Sequence, residues 1–334
     1  MAITIKDVAH EAGVSFSTVS KVINNSHEIS EATAIKVKEV MKRLDYTPNA
    51  RAASFRRKST RNIAFLTPLK KGEAFIFPHK FDIICGVHAM LVRRGYNVTL
   101  VDISDDEKIA ATIKSVISTG GYEGLIVHAW NLNTDAAAIL VRGNFPYIVI
   151  GEPNFESQIC WLDNNNVLAG GIAARHLADC GAKKMAFVGT PWESRLEGVC
   201  LTLKELGLEI KPEHICHTDL SVGQGYAVTL ELLNSKNRPD GIICENTMIA
   251  IGVMKAINEI GLALPTDIQL ITFDDYPFSR VIEPMPTVIN IDCYDLGEQA
   301  ASQLIKNIRN PALHVQSYIT LPELIVRGTT RGAS

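Results

Sequence analysis

Residues 4–25 read TIKDVAHEAGVSFSTVSKVINN, and the spacing of their apolar side chains decides how the rest of the chain is organised. Ile5, Val8, Ala9 and Ala12 recur at i, i+3, i+4 and i+7, one face of an amphipathic helix. Thr4 with Asp7 three residues later is a capping-box pattern at its start, and Gly13 supplies the positive φ that ends it. Ser15 can cap a second helix, with Val19, Val22 and Ile23 on its buried face and Phe16, Ser17, Ser20 and Lys21 on its outer one. Ser30 caps a third, whose Val37, Val40, Met41 and Leu44 share a stripe. Three short helices around a small core, the first two joined by a tight Gly turn, describe a helix-turn-helix bundle. A short, hydroxyl-rich second helix has the shape that enters a DNA groove. Periodicity alone also fits a generic three-helix interaction module.

Charge separates this head from the rest of the chain. Residues 1–60 carry ten Lys/Arg and six Asp/Glu, a net of +4, whereas the remainder carries 23 basic and 30 acidic residues, a net of −7. A basic head on an acidic body is the distribution of a DNA-reading module attached to a body that does not bind DNA. At 334 residues the chain is too long for one ordinary domain. Its seven cysteines are scattered without a CxxC, which points to reduced thiols in the cytoplasm. His214, Cys216 and His217 lack a second ligand pair at zinc spacing, so no metal site is expected. The N-terminus has no signal-peptide pattern and no apolar run is long enough for a membrane span.

From Arg61 the pattern changes. NIAFLTP, YNVTLVDI, GLIVHAW, FPYIVIGEP, KMAFVGT, DGIICEN and IQLITFDD are short apolar runs that read as parallel, fully buried strands. Between them lie amphipathic helices over 81–94, 168–180, 225–234 and 248–260. Such alternation implies doubly wound α/β architecture. The strands are too many for one compact sheet and the pattern restarts near Cys160-Trp161. Two lobes with a cleft between them are therefore expected, and ligands in such folds bind at the C-terminal ends of the strands.

The string AGVSFSTVSKVIN at 12–24, with LDYTPNARAASFRRK at 44–58 and LPELIVRGTT at 321–330, closely resembles the lactose-repressor/galactose-repressor (LacI/GalR) family of bacterial regulators, over essentially the whole chain. The resemblance implies a head over residues 1–46, a hinge helix over 47–60 and a sensor over 61–334 with the fold of periplasmic sugar-binding proteins. Its first lobe would comprise about 61–160 and 291–319, its second about 161–290 and 320–334. It assigns base reading to Phe16, Ser17 and Lys21, where Lys21 stands in place of the usual Arg and offers a point charge rather than a planar fork. Thr4, Ser15, Thr18, Asn24 and Tyr46 fall where phosphates are held. Arg51, Ala52, Phe55 and Arg56 fall in the hinge, which folds on DNA, with Phe55 where the family inserts a Leu between base steps.

In the sensor, Arg195 of SRLEG, Asn246 of ENTMIAIG and Asp274 of ITFDDYP match the family's effector-holding residues. The resemblance also places His79, Lys80, His128, Trp192 and Phe278 around the effector. Thr247 replaces the Asp of the family's A-N-D run and can cap the following helix. Where the family often shows N-P-F-F, this chain has Phe77-Pro78-His79-Lys80. Two basic groups in place of two aromatics, together with Arg195, predict an effector bearing a carboxylate or phosphate; the alternative is that Lys80 points into solvent.

These features together predict a homodimeric, cytoplasmic repressor that holds a pseudopalindromic operator and responds to a small sugar-like effector, without a cofactor. No helical repeat suited to tetramerisation comes after Arg327, so a dimer is expected. The competing expectation is a solute-binding protein or sugar-modifying enzyme with an accessory head. No nucleophile elbow, HExxH, P-loop or strand-linked GxGxxG supports catalysis.

Overall fold

The computed structural model describes residues 5–23, 29–44, 59–72, 77–105, 108–143, 145–190, 194–311 and 318–332. They form two compact units, 1–61 and 62–334. The first unit contains α1 (Ile5–Ala12), α2 (Phe16–Ile23) and α3 (Glu31–Arg43). Gly13, at φ 62°, donates its N–H to His10 O at 3.1 Å, and Val14 donates to Ala9 O at 3.0 Å. This bond pair closes α1 with a left-handed residue that only glycine adopts without cost. Ser15 Oγ accepts the Thr18 N–H at 3.1 Å and Ser30 Oγ accepts the Thr33 N–H at 3.4 Å, so both hydroxyls cap the helices they precede. Val8, Ala12, Val19 and Val37 are fully buried at the centre of the bundle.

The second unit runs β1 (Asn62–Thr67), α4 (Pro78–Arg93), β2 (Asn97–Asp102), α5 (Ile109–Ser118), β3 (Gly124–His128), α6 (Thr134–Arg142), β4 (Tyr147–Ile150) and β5 (Trp161–Asn164). It continues with α7 (Asn166–Asp179), β6 (Met185–Gly189), α8 (Ser194–Glu205), β7 (Ile215–His217), α9 (Val222–Asn234), β8 (Gly241–Cys244), α10 (Thr247–Ile260) and β9 (Gln269–Phe273). The last elements are β10 (Thr287–Asn290), α11 (Cys293–Arg309), β11 (Tyr318–Thr320) and β12 (Glu323–Ile325). Two six-stranded sheets result, in the orders β11-β5-β4-β3-β1-β2 and β12-β10-β9-β8-β6-β7.

Every pairing is parallel except β10 with β12, which is antiparallel. The chain passes from the first lobe to the second after β5, returns after β10, and crosses a third time after β11. The restart expected at Cys160-Trp161 falls too early: Trp161–Asn164 pairs with Tyr147–Ile150 and Tyr318–Thr320 inside the first sheet, so the crossing comes after Asn164. Thr320 likewise pairs in the first sheet. The run at Asn97–Asp102 is not fully buried either. It is an edge strand of its sheet and consists of half-buried and exposed positions.

One apolar cluster joins Ile83, Val87 and Leu91 of α4 with Leu296 and Ala300 of α11, and continues through Ala173 and Leu177 of α7 to Phe187 and Phe273 in the second sheet. The C-terminal segment is fastened by charge. Arg327 makes two parallel bonds to the Asp275 carboxylate, both 2.7 Å, and Ser279 Oγ and Arg280 Nη2 add bonds at 2.9 Å. Burial alone would raise this carboxyl's pKa, but the bonds from Arg327, Ser279 and Arg280 outweigh it and hold the group at about 2.

An unfolded aspartate titrates near pH 4, so the stabilisation from Asp275 is complete above that pH and fades as pH falls from about 4 towards 2. Removing one partner of a buried pair strands the other. Arg327→Ala should therefore cost about 3 kcal/mol at pH 7, and the deficit should shrink at pH 3. Urea unfolding at both pH values measures the difference, and equal deficits would assign the loss to packing instead.

Candidate functional sites in the head and the interlobe cleft

On α2, Ser17 and Lys21 are exposed and Phe16 is half-buried. The Ser15, Ser17 and Thr18 hydroxyls form one cluster at the start of the helix, with Ser15 Oγ 2.7 Å from Ser17 Oγ and 2.8 Å from Thr18 Oγ1. Ser15 accepts as the cap and retains a proton to donate. Helix N-terminal N–H groups and clustered hydroxyls suit an anionic oxygen such as a phosphate. Thr4, Asn24, Tyr46, Arg51, Ala52, Phe55 and Arg56 lie outside the described residues, as does Trp192.

In the second unit, the C-terminal ends of strands and the starts of helices converge on one cleft of about 130 Å³. That is below the range of roughly 300–1,000 Å³ typical of drug-sized sites, and it suits a small polar ligand. From the first lobe come His79 at the start of α4, His128 at the end of β3, and Trp130 just beyond it. From the second come Arg195 on α8, Asn246 before α10 and Asp274 after β9.

Arg195 is the most constrained of these. Its Nε donates to Asn166 Oδ1 at 3.2 Å, its Nη1 donates to Glu245 O at 2.5 Å, and its guanidinium carbon lies 4.5 Å from the centre of the Phe273 ring. Nη2 stands 4.0 Å from Asp274 Oδ1, with both side chains largely buried. Gly170 fixes the backbone beneath it, because a Cβ there would stand 1.9 Å from the Arg195 carbonyl oxygen. Asn246 Oδ1 accepts the Ile249 N–H at 2.9 Å, so Asn246 caps α10 while lining the cleft. Thr247 does not cap. Its hydroxyl donates towards the carbonyl oxygens of Phe273 and Asp274, at 2.9 and 2.6 Å, and props up the turn in which Asp274 sits at φ 70°. A non-glycine residue in that region is strained, and such strain gathers at ligand sites.

Around His79, His128 and Trp130 the first-lobe wall is aromatic. His128 Nδ1 accepts the Trp130 N–H at 3.4 Å, which leaves the imidazole proton on Nε2, and the two rings lie 4.4 Å apart. Burial and then Lys80 push the His128 pKa down to about 3. The pKa of His79 is held well below the usual histidine range by burial and then by His128, Arg195 and Lys80. Both imidazoles are therefore neutral at pH 7. Lys80 does not line the cleft: its ammonium sits 4.4 Å from the Phe77 ring centre and 5.6 Å from that of Trp130. Phe278 also lies off the lining and stacks on Tyr276 at 5.6 Å.

Carboxylates outnumber the cation. Glu152, Asp163, Glu245 and Asp274 line the cleft with Arg195. Like charges 4 Å apart repel by about 4 kcal/mol at an effective dielectric near 20. The acidic effector expected from Phe77-Pro78-His79-Lys80 is therefore disfavoured: one basic group is neutral and the other faces aromatic rings. Glu245 directly follows the strand GIIC and Glu152 stands one residue beyond YIVI, where strand-end logic could have found them. Asp163 was hidden because β5 has only four residues and no apolar run. Among the described residues, no cluster of His, Cys, Asp and Glu is arranged to hold a metal; His214 Nε2 is bonded to Asn237 O at 2.7 Å. No helix among them is long and apolar enough to cross a membrane.

Gly170→Ala should push α8 away and displace Arg195. We expect a loss of about 1–3 kcal/mol in stability, as for other overpacked sites, and weaker ligand binding in the cleft. Thermal melts with calorimetry measure both, and an unchanged variant would show that this helix contact does not set the arginine.

Residues 4–49 match the family model described as bacterial regulatory proteins, lacI family, and residues 174–330 match that of a periplasmic binding protein-like domain. The ribose operon repressor of Escherichia coli K12 is 30% identical over 332 residues, covering 98% of this chain and 99% of its own. The HTH-type transcriptional repressor PurR of Haemophilus influenzae PittEE is 29% identical over 338 residues, with 98% of each chain covered. Among solved structures, the Lac repressor dimer bound to operator and an anti-inducer shares the fold at a TM-score of 0.83 and 24% identity, over 98% of this chain and 99% of that one. A helix-turn-helix head, a two-lobed sensor and end-to-end similarity to these repressors agree: the chain belongs to the LacI family of bacterial regulatory proteins.

Proposed function

We propose that this regulator acts in the cytoplasm as a homodimeric repressor. Two copies of α2 would hold a pseudopalindromic operator while a small, uncharged, sugar-like effector in the cleft sets the strength of the grip. The observation that carries the proposal is the division of the cleft between lobes. His79, His128 and Trp130 belong to the first, and Arg195, Asn246 and Asp274 to the second. A ligand touching both groups binds one lobe arrangement more tightly than another, and that difference in affinity is all that coupling requires. The ribose operon repressor is named for a sugar operon, which supports a sugar-like effector here.

On the DNA side, Phe16, Ser17 and Lys21 are the proposed base readers, and Ser15 and Thr18 the groups that hold phosphate. Thr4, Asn24 and Tyr46 are proposed as further phosphate contacts. Arg51, Ala52, Phe55 and Arg56 are proposed to form a hinge helix in the minor groove, led by Phe55 as the wedge. As a family regulator the chain is not an enzyme, which leaves the cleft a sensor.

Operator fragments selected from genomic DNA, followed by fluorescence anisotropy on the full-length chain, test this proposal. Lys21→Ala should weaken the selected site by about tenfold or more and leave the thermal response to sugars unchanged. Arg195→Ala should keep operator affinity while abolishing its dependence on sugar. A chain lacking residues 1–59 that still bound the operator would refute the assignment of the head.

A further inference from the structure

We infer that His79 is a specificity-determining residue, whose neutral imidazole reads a hydroxyl of an uncharged ring ligand and whose surroundings turn away phosphorylated or carboxylated relatives of that ligand. The inference rests on the effector role proposed above and deepens it. Among the described residues, His79 Nε2 is shielded from solvent and has no hydrogen-bond partner, although the residue lines the cleft. A buried polar atom left unpaired costs free energy until something pairs with it. Close by, His128 Nδ1 already takes the Trp130 N–H, and the Lys80 ammonium lies over two aromatic faces away from the lining.

Three features keep the imidazole uncharged. It sits on the first turn of α4, directly after Pro78 at the first helical position and without a side-chain cap on Phe77, so the positive end of the helix opposes a second positive charge. Arg195 faces it from α8 and His128 from β3, with Lys80 beside it on α4, and two of these three carry full positive charge. Finally, its ring is packed edge-on between Phe77 at 6.0 Å and Trp130 at 5.5 Å. A neutral imidazole both accepts and donates, which matches a hydroxyl, a group that does the same.

The charges of the cleft supply the exclusion. Arg195 is already bound to Asn166, to the Glu245 carbonyl and opposite Asp274. The carboxylates of Glu152, Asp163, Glu245 and Asp274 surround the remaining space. An added phosphate would meet these four groups, and among the described residues the one arginine on the lining, Arg195, is already engaged. A Phe at position 79 would give the same wall area but no hydrogen bond, so the imidazole adds recognition rather than packing.

The test uses the full-length chain and matched probes: D-ribose against ribose 5-phosphate and D-glucose against glucose 6-phosphate, by thermal shift and calorimetry. The expected result is that at least one uncharged sugar binds about tenfold or more tightly than its phosphate, with affinity flat between pH 8 and 6. His79→Phe should weaken that sugar about tenfold, while His79→Gln, which keeps an uncharged donor and acceptor, should stay within about threefold. Melting temperatures of the unliganded variants check that both fold.

Equal or tighter binding of the phosphates, tighter phosphate binding as pH falls, or an indifferent His79→Phe would overturn the inference. The last outcome, with a sugar that still shifts operator affinity, would leave the sensor role standing. If none of the four probes binds, the sugar-like effector class falls and this inference falls with it.

Discussion

Parallel strands joined by helices place every helix N-terminus and every strand C-terminus at the same edge of a sheet, and the cleft inherits that constraint. The starts of α4, α7, α8, α10 and α11 all contribute lining residues, namely His79, Asn166, Arg195, Asn246 and Cys293. Each brings a partial positive charge. Much of that field is spent inside the protein: Asn165, Asn246 and Asp292 cap α7, α10 and α11 with side-chain oxygens. The carboxylates at the strand ends offset more of it. A strongly basic cavity would have drawn any anion. The cavity found here is electrostatically answered from within, and selectivity is left to hydrogen-bond geometry.

The same constraint explains why Arg195 is so heavily tethered. Its backbone is fixed by the close packing of α7 and α8, its guanidinium by Asn166 and the Glu245 carbonyl, and its face by Phe273. A long side chain loses about 2 kcal/mol of rotamer freedom when held still, and the fold has already lost it before a ligand arrives. Asp274 is prepared in a similar way. The Thr247 hydroxyl and the Ile289 carbonyl hold the strained turn from both sides, and Arg327 holds the neighbouring Asp275. The second lobe thus presents a rigid polar wall. Less is fixed on the first-lobe wall, where His79 Nε2 has no partner among the described residues.

The head is legible in the sequence because each local signal agrees with the next: the 3.6-residue stripe, Ser15 and Ser30 as caps, and Gly13 as the stop. Largely apolar strands such as GLIVH and QLITF are equally plain, since a strand buried on both faces is predominantly apolar. What escapes is short or mixed. Trp161–Asn164 has only one fully buried residue, and Glu323–Ile325 has none. Trp161–Asn164 pairs with Tyr147–Ile150 and with Tyr318–Thr320, and Glu323–Ile325 with Thr287–Asn290, partners that no local pattern reveals. His79 does line the cleft, but residue type alone misjudges its charge. A histidine beside a lysine suggests a cation, whereas burial and three neighbouring groups decide the protonation state.

The three crossings between lobes have a consequence for synthesis. The first sheet is not complete until β11 joins β5, and the second not until β12 joins β10. A nascent chain emerging from the ribosome can fold its head early, but it must hold both unfinished sheets, with open edges at β5 and β10, until residues beyond 318 appear. Exposed edges of that kind invite pairing with other chains. The interlacing that ties the two lobes into one sensor therefore leaves both edges open until β11 and β12 have been made, and those two short strands then close both sheets almost at once.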